Sequence, residues 1–282
     1  MTTTITGAVT SADGTTIGYH EVGSGPGLVI VHGAMQTGRS QLDLARALAD
    51  DFTCYLPDRR GRGASGPVGP AYGLEREVAD LGALLEATGA SYVAGVSSGA
   101  IITLRTLLAR PGGVRRAVVF EPPLLPDATA LRGHLRRLES ELDAGDTAAA
   151  LVTGMKAAEL GPPIFKVMPR PVLEPLTRRM MKGPGASFAE LAPTLRQDLG
   201  LALEAAGDME VYREVRPKVL LLGGTKTRPY LLAALDGLER VLPHATKVLM
   251  EGLDHSATSD TAERGSPERA AEEIRRFLLR DQ

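Results

Sequence analysis

The sequence predicts an α/β fold built on a mostly parallel, doubly wound sheet with an inserted helical cap. Short apolar runs typical of buried strands alternate with amphipathic helical stretches in the first and last parts of the chain. Residues 122–213 have helical spacing and contain no strong strand pattern. The 282 residues, 43% of them hydrophobic, suffice for one large domain with an insertion.

A turn signal and short apolar runs predict the strands of the sheet. Residues 5–23 form two short strands around the Asp13-Gly14 turn, which is a hairpin signal. Further short apolar runs mark the remaining strands, at 27–31, 52–56, 90–94, 116–120, 218–222 and 247–250. Helical spacing between these runs predicts helices at 41–48, 74–88, 101–110, 231–242 and from Ser266-Pro267 to about residue 279.

The middle of the chain follows a different pattern. Four helical stretches, at 131–142, 147–160, 172–182 and 188–206, are separated or punctuated by prolines. We therefore expect a core made of residues 1–121 and 214–282, with residues 122–213 inserted as a helical cap.

Composition limits the partners. A net charge of −2, from 32 basic and 34 acidic residues, argues against binding to nucleic acid or to an acidic membrane surface. Cys54 is the single cysteine, which excludes a disulfide scaffold and fits a reducing compartment. We see no signal peptide and no apolar run near the ~20 residues of a membrane span. A cytoplasmic location is expected, and the sequence does not indicate an oligomeric state.

The stretch Gly95-Val96-Ser97-Ser98-Gly99 joins a predicted strand to a predicted helix. One interpretation is a polar turn whose serines cap the helix. The other is a G-x-S-x-G elbow that presents Ser97 as a nucleophile. The pentapeptide alone does not separate these interpretations.

Three more motifs stand in order around this stretch: Val29-Ile30-Val31-His32-Gly33-Ala34, Asp58-Arg59-Arg60-Gly61-Arg62-Gly63-Ala64-Ser65 and Glu251-Gly252-Leu253-Asp254-His255-Ser256. With the elbow, they make nearly the whole chain resemble the α/β-hydrolase fold family. The resemblance implies that Ser97 is a nucleophile. For the polar, arginine-rich loop 58–65 we favour a structural role over a catalytic one, with Asp58 and the arginines tying neighbouring loops together. The resemblance also implies that the backbone N–H groups of Ala34 and Ser98 hold an oxyanion.

A serine nucleophile needs a base. His255 alone among the five histidines lies in the loop after the last predicted strand, where the family carries its catalytic histidine. The family's usual position for the acid, after the penultimate strand, holds no carboxylate here, and Lys226 or Thr227 stands there. Glu121, at the end of the strand 116–120, is the best substitute, since the order Ser97, Glu121, His255 is preserved.

Alternatives for the acid remain open. Glu121 could instead anchor the cap, Asp254 and Asp260 are weaker candidates near His255, and a dyad with water in place of the acid is also compatible with the sequence.

We expect a serine hydrolase that cleaves an ester, thioester or lactone of a small to medium apolar molecule. Hydrolysis of a carbon–carbon bond or a lyase reaction on the same residues is the alternative, since one fold hosts many reactions. A non-catalytic ligand-binding protein is a minor alternative. The sequence carries no H-E-x-x-H, paired C-x-x-C or strand-to-helix G-x-G-x-x-G motif, so neither a metal nor an organic cofactor is expected.

Overall fold

A computed structural model of the chain describes residues 5–159, 167–183, 186–207 and 209–280. The chain divides into two compact units. The larger is made of Met1–Leu124 with Asp208–Gln282, and the smaller is Leu125–Gly207. The predicted division after residues 121 and 213 lies a few residues from these bounds.

The larger unit contains one eight-stranded sheet, whose strands β1 to β8 are Ile5–Thr10, Thr16–Gly23, Gly27–Val31, Thr53–Pro57, Tyr92–Val96, Arg116–Phe120, Lys218–Gly224 and Ala245–Met250. The strand order is β1-β2-β4-β3-β5-β6-β7-β8. β2 pairs antiparallel with β1 and with β4. In the spatial order β4-β3-β5-β6-β7-β8, every neighbouring pair is parallel. The predicted mostly parallel sheet is confirmed.

Helices cover both faces of this sheet: α1 (Leu42–Leu48), α2 (Leu74–Thr88), α3 (Ser98–Ala109), α9 (Pro229–Val241) and α10 (Pro267–Leu278). Alternate strand residues, such as Ile30 and Val118, form one buried hydrophobic cluster with Leu48 of α1 and Ile274 of α10. Helix α3 packs on β3, β5 and β6 outside that cluster and so covers the opposite face. This two-sided burial explains why the parallel strands are apolar at nearly every position.

The order of the strands creates a crevice. From β3 the chain adds β4 on one side, and it then returns to add β5 on the other side. Segments that leave the carboxyl ends of β3 and β5 therefore diverge, and in open α/β sheets ligands bind at such a switch point. The His32-Gly33-Ala34 segment follows β3, and Ser97 follows β5.

The smaller unit is helical in its described residues, with α4 to α8 at Thr129–Asp143, Thr147–Ala157, Arg170–Met180, Ala186–Leu191 and Leu195–Glu204. The predicted helix 188–206 is interrupted by a 3-10 turn, Ala192–Thr194. Pro193 explains the break, because its ring lacks the N–H that a continuous helix requires. The predicted end of the helix 147–160 falls on Leu160, outside the described residues.

The central strands should carry much of the stability. Leu220 of β7 is 1% exposed, whereas Leu249 of the neighbouring edge strand β8 is 39% exposed. We expect Leu220→Ala to lower the free energy of unfolding by about 2–5 kcal/mol, because it removes buried surface and leaves a cavity. Leu249→Ala should cost less than about 1 kcal/mol. Guanidinium unfolding measures both, and equal losses would contradict this account of the core.

Candidate active site

Ser97 occupies a strained turn between β5 and α3. Its backbone lies at φ 53° and ψ −117°, a region that residues other than glycine rarely adopt. Its N–H donates a hydrogen bond of 2.9 Å to the carbonyl oxygen of Phe120, the last residue of β6. The Ser97 side chain makes no capping bond to α3, so the elbow geometry is present and capping by Ser97 is not.

The two flanking glycines are required by close packing. A Cβ at Gly95 would lie 2.3 Å from the Thr103 hydroxyl oxygen and 2.4 Å from the Gly99 carbonyl oxygen. A Cβ at Gly99 would lie 2.3 Å from the Val31 carbonyl oxygen. Both positions therefore exclude any side chain, and the sharp turn holds Ser97 close to the end of β3.

His255 bridges the serine and the glutamate. Its Nε2 lies 3.2 Å from Ser97 Oγ, and its Nδ1 lies 2.6 Å from Glu121 Oε2. An ionised carboxylate only accepts hydrogen bonds, so Nδ1 carries the proton and Nε2 is left to accept the proton of the Ser97 hydroxyl. The structure thus brings together the three residues that the sequence singled out, although 158 positions separate Ser97 from His255.

Glu121 is held by donors on both carboxylate oxygens. Its side chain is 0% exposed. Oε1 accepts the Gly224 N–H at 2.7 Å, and Oε2 accepts the Thr227 hydroxyl at 2.6 Å in addition to His255. Its backbone has a left-handed φ of 44° just after β6. These three contacts fix the position of the buried carboxylate.

The other candidate acids are engaged elsewhere. Asp254 Oδ1 accepts the N–H and the hydroxyl of Ser256. Asp260 Oδ1 accepts the N–H of Asp43. Among the described carboxylates, Glu121 is the one that contacts the imidazole of His255.

Phe120 is a contact that sequence reasoning missed. Its ring stacks on the imidazole of His255, with 5.9 Å between centroids and 23° between planes. Side chains normally alternate along a strand. The left-handed backbone at Glu121 ends that alternation, so successive residues at the end of β6 both reach the same histidine.

The two candidate oxyanion donors flank the serine. Ser98 is the first residue of α3, so its N–H lies at the positive end of the helix dipole. Ala34 follows Gly33, and a Cβ built on Gly33 would lie 3.1 Å from the Cβ of Ser97. The backbone of the segment after β3 therefore passes directly beside the serine.

A buried arginine joins these two segments. The Arg59 N–H donates to His32 Nε2 at 3.2 Å, and the Arg59 guanidinium donates to Ser98 Oγ at 3.0 Å. Glu77 balances the guanidinium charge across 2.9 Å. The Ser98 hydroxyl is thus engaged by Arg59, a role that the sequence did not indicate.

The rest of the loop 58–65 has the structural role expected for it. Asp58 accepts the N–H groups of Gly38 and Ala64, each at 2.8 Å, so it joins separate loop segments.

His32 is a neutral structural residue. Its Nδ1 contacts the Gly33 carbonyl oxygen at 2.8 Å. Burial, together with the positive charges of Arg62 and Arg59, lowers the pKa of His32 well below its ordinary value of 6.5. The ring therefore stays uncharged at neutral pH, donates from Nδ1 and accepts at Nε2.

Neither Cys54 nor a cluster of metal-binding side chains forms a second site among the described residues. Burial raises the pKa of the Cys54 thiol to about 12, so this group is protonated and unreactive. Within residues 5–159, 167–183, 186–207 and 209–280, no group of three or more His, Cys, Asp or Glu side chains could hold a metal ion. No helix in the same ranges is long and apolar enough to cross a membrane.

The depressed pKa of His32 predicts a pH dependence of stability. Below pH 6.5 the unfolded chain binds a proton at this position and the folded chain does not, so the free energy of unfolding falls as pH falls. The slope from one such group approaches about 1.4 kcal/mol per pH unit. His32→Asn should remove this contribution between pH 6.5 and 5, as measured by denaturant unfolding. The solvent-exposed His244 supplies the control, since His244→Asn should leave the slope unchanged. Identical slopes for wild type and His32→Asn would contradict the prediction.

The chain is similar to known proteins over most of its length. The model of the alpha/beta hydrolase family matches residues 28–271. The chain is 26% identical over 251 residues to 2-(acetamidomethylene)succinate hydrolase of Mesorhizobium japonicum, with 85% of each chain covered. A solved alpha/beta hydrolase of Sphaerobacter thermophilus is similar with a TM-score of 0.79 and 29% identity, over 97% of this chain and 100% of that one. A solved esterase of a Rhodococcus species is similar with a TM-score of 0.69 and 23% identity, over 98% of each chain. The chain belongs to the alpha/beta hydrolase family.

Proposed function

We propose that this chain is a serine hydrolase in which Ser97 is the nucleophile, His255 the base and Glu121 the acid that orients the base. The observation that carries the proposal is the continuous chain of contacts from Ser97 Oγ through both nitrogens of His255 to Glu121 Oε2, at 3.2 Å and 2.6 Å. Both lengths lie within hydrogen-bond reach for a nucleophile and its base.

The reaction begins with attack on a carbonyl carbon. Ser97 Oγ forms the new bond while His255 Nε2 takes the hydroxyl proton. The imidazolium that results is stabilised by the Glu121 carboxylate on Nδ1. The negative charge on the former carbonyl oxygen is held by the N–H groups of Ala34 and Ser98.

Collapse of this intermediate releases the leaving group, which takes the proton from His255. A water molecule then gives a proton to the same nitrogen and attacks the acyl carbon on Ser97. The bond between Ser97 Oγ and the acyl carbon then breaks, His255 Nε2 returns its proton to Oγ, and release of the acid restores the free serine. The strained backbone of Ser97 supports this role, because strain maintained by surrounding packing is common where a reactive group must be held in place.

An ester, thioester or lactone of a small to medium apolar molecule is the proposed substrate, since acyl transfer from such compounds requires only these groups. A second candidate is hydrolysis of a compound resembling 2-(acetamidomethylene)succinate, which the 26% identity to the hydrolase of that name favours. Carbon–carbon hydrolysis on the same residues is the third reaction to include in a substrate screen.

Replacement of the nucleophile gives the simplest test. The wild-type chain should react covalently with a fluorophosphonate probe and hydrolyse short p-nitrophenyl esters. Ser97→Ala should reduce both activities by about 10⁴-fold or more, because no other group supplies the attacking oxygen. Mass spectrometry of the labelled peptide and ester hydrolysis rates measure this. A wild-type chain that resists the probe yet binds ligands would instead support a non-catalytic binding protein.

Replacement of the acid tests the role of Glu121. Glu121→Gln keeps the size of the side chain but removes the charge that holds the proton on Nδ1, so the labelling rate should fall by at least about a hundredfold. Asp254→Asn is the matched control: it neutralises a carboxylate next to His255 that bonds to Ser256 instead. A near-normal rate for Glu121→Gln would refute the assignment.

A further inference from the structure

We infer that Thr227 is a positioning residue of the catalytic machinery, which acts through its hydroxyl on the carboxylate of Glu121. The inference rests on the proposed function, because Glu121 must orient His255 for Thr227 to affect the reaction.

The contact is direct and lies in the interior. Thr227 Oγ1 donates to Glu121 Oε2 at 2.6 Å, and Oε2 is also the oxygen that accepts the hydrogen bond from His255 Nδ1, at 2.6 Å. Thr227 is 8% exposed and Glu121 is 0% exposed. Bulk water therefore does not substitute readily for the hydroxyl, and a charge-assisted bond of this kind is among the stronger hydrogen bonds in proteins.

The carboxylate is held at two separate points. The Gly224 N–H binds Oε1 at 2.7 Å from the end of β7, and the Thr227 hydroxyl binds Oε2 three residues later. Without the Thr227 hydroxyl, Oε2 would be held only by His255, the residue that the carboxylate has to orient. With Gly224 on Oε1 and Thr227 on Oε2, each oxygen has a donor independent of His255, which fixes the plane of the carboxylate about its terminal bond. The fixed plane keeps a lone pair of Oε2 directed at His255.

The segment that carries Thr227 is also tied to the segment that carries His255. The Lys226 N–H donates to the Leu253 carbonyl oxygen at 2.8 Å, and the Gly252 N–H donates to Thr225 Oγ1 at 2.9 Å. These bonds set the distance between the two loops. Thr227 is β-branched, so its χ1 has few alternatives and its hydroxyl is preorganised toward Glu121.

This arrangement explains the absence of a carboxylate after β7. At that strand end the chain has Thr227, a donor, in place of an acceptor. The acid comes instead from the end of the adjacent strand β6, and the end of β7 supplies the donors that hold it.

The test uses the rate of labelling by a fluorophosphonate probe, which reports the reactivity of Ser97 without knowledge of the natural substrate. Thr227→Val keeps the shape of the side chain and removes its hydroxyl. The second-order rate constant of labelling should then fall about tenfold, which corresponds to a modest loss of transition-state stabilisation. Thr227→Ser keeps the hydroxyl and should stay within about threefold of wild type. Thr227→Ala is the second hydroxyl-free variant if valine prevents folding.

A double-mutant cycle separates positioning from a purely structural role. In the Glu121→Gln background, Thr227→Val should produce little further loss, because the charge on which the hydroxyl acts is already absent. The proton NMR resonance of His255 Nδ1–H, assigned by its disappearance in His255→Ala, should move upfield and broaden in Thr227→Val and return in Thr227→Ser.

Three outcomes would overturn the inference. Thr227→Val could be labelled at the wild-type rate, or Thr227→Ser could lose as much of the labelling rate as Thr227→Val. The third outcome is that Thr227→Val lowers the labelling rate tenfold even in the Glu121→Gln background. Failure of the proposed function looks different. In that case Ser97→Ala and Glu121→Gln themselves leave labelling unchanged.

Discussion

The candidate site depends on one constraint, the complete burial of the Glu121 carboxylate. Removing an ionised carboxylate from water is costly unless hydrogen-bond donors replace the lost hydration. Gly224, Thr227 and His255 supply those donors from two different loops. Burial therefore requires the loops that follow β7 and β8 to converge on the end of β6. The same convergence brings the imidazole of His255 toward Ser97.

The end of β6 also organises the serine. The Phe120 carbonyl oxygen accepts the Ser97 N–H, the Phe120 ring stacks on His255, and the next residue is the buried glutamate. Phe120 therefore contacts both Ser97 and His255, the partners of the proposed proton transfer, and Glu121 beside it contacts His255. On the other side of the serine, Arg59 links the turn after β3 to the start of α3, where the proposed oxyanion donors lie. Rigid strand ends position both sets of groups, as preorganised catalysis requires.

Much of this arrangement was predictable from local signals. The alternation of apolar runs and amphipathic helices predicted the sheet, because it depends on neighbouring residues. The glycines around Ser97 left the elbow as one of two interpretations, and the resemblance of the four motifs to the α/β-hydrolase fold family favoured it. Glu121 could be proposed from its position at a strand end, although Asp254 and Asp260 remained in competition. That competition was a question of side-chain direction, which depends on the left-handed backbone at Glu121 and on bonds made by distant loops. Thr227 and the Arg59–Ser98 contact were not predictable for the same reason. The break at Pro193 was not predicted, because the helical periodicity of residues 188–206 continues on both sides of the proline.

The most direct measurement of the central claim is a crystal structure of the chain after reaction with a small fluorophosphonate. The account predicts phosphorus bonded to Ser97 Oγ, a phosphoryl oxygen within hydrogen-bond distance of the N–H groups of Ala34 and Ser98, and His255 Nδ1 facing Glu121. An adduct on another residue, or an imidazole whose Nδ1 faces Asp254 or Asp260, would contradict it.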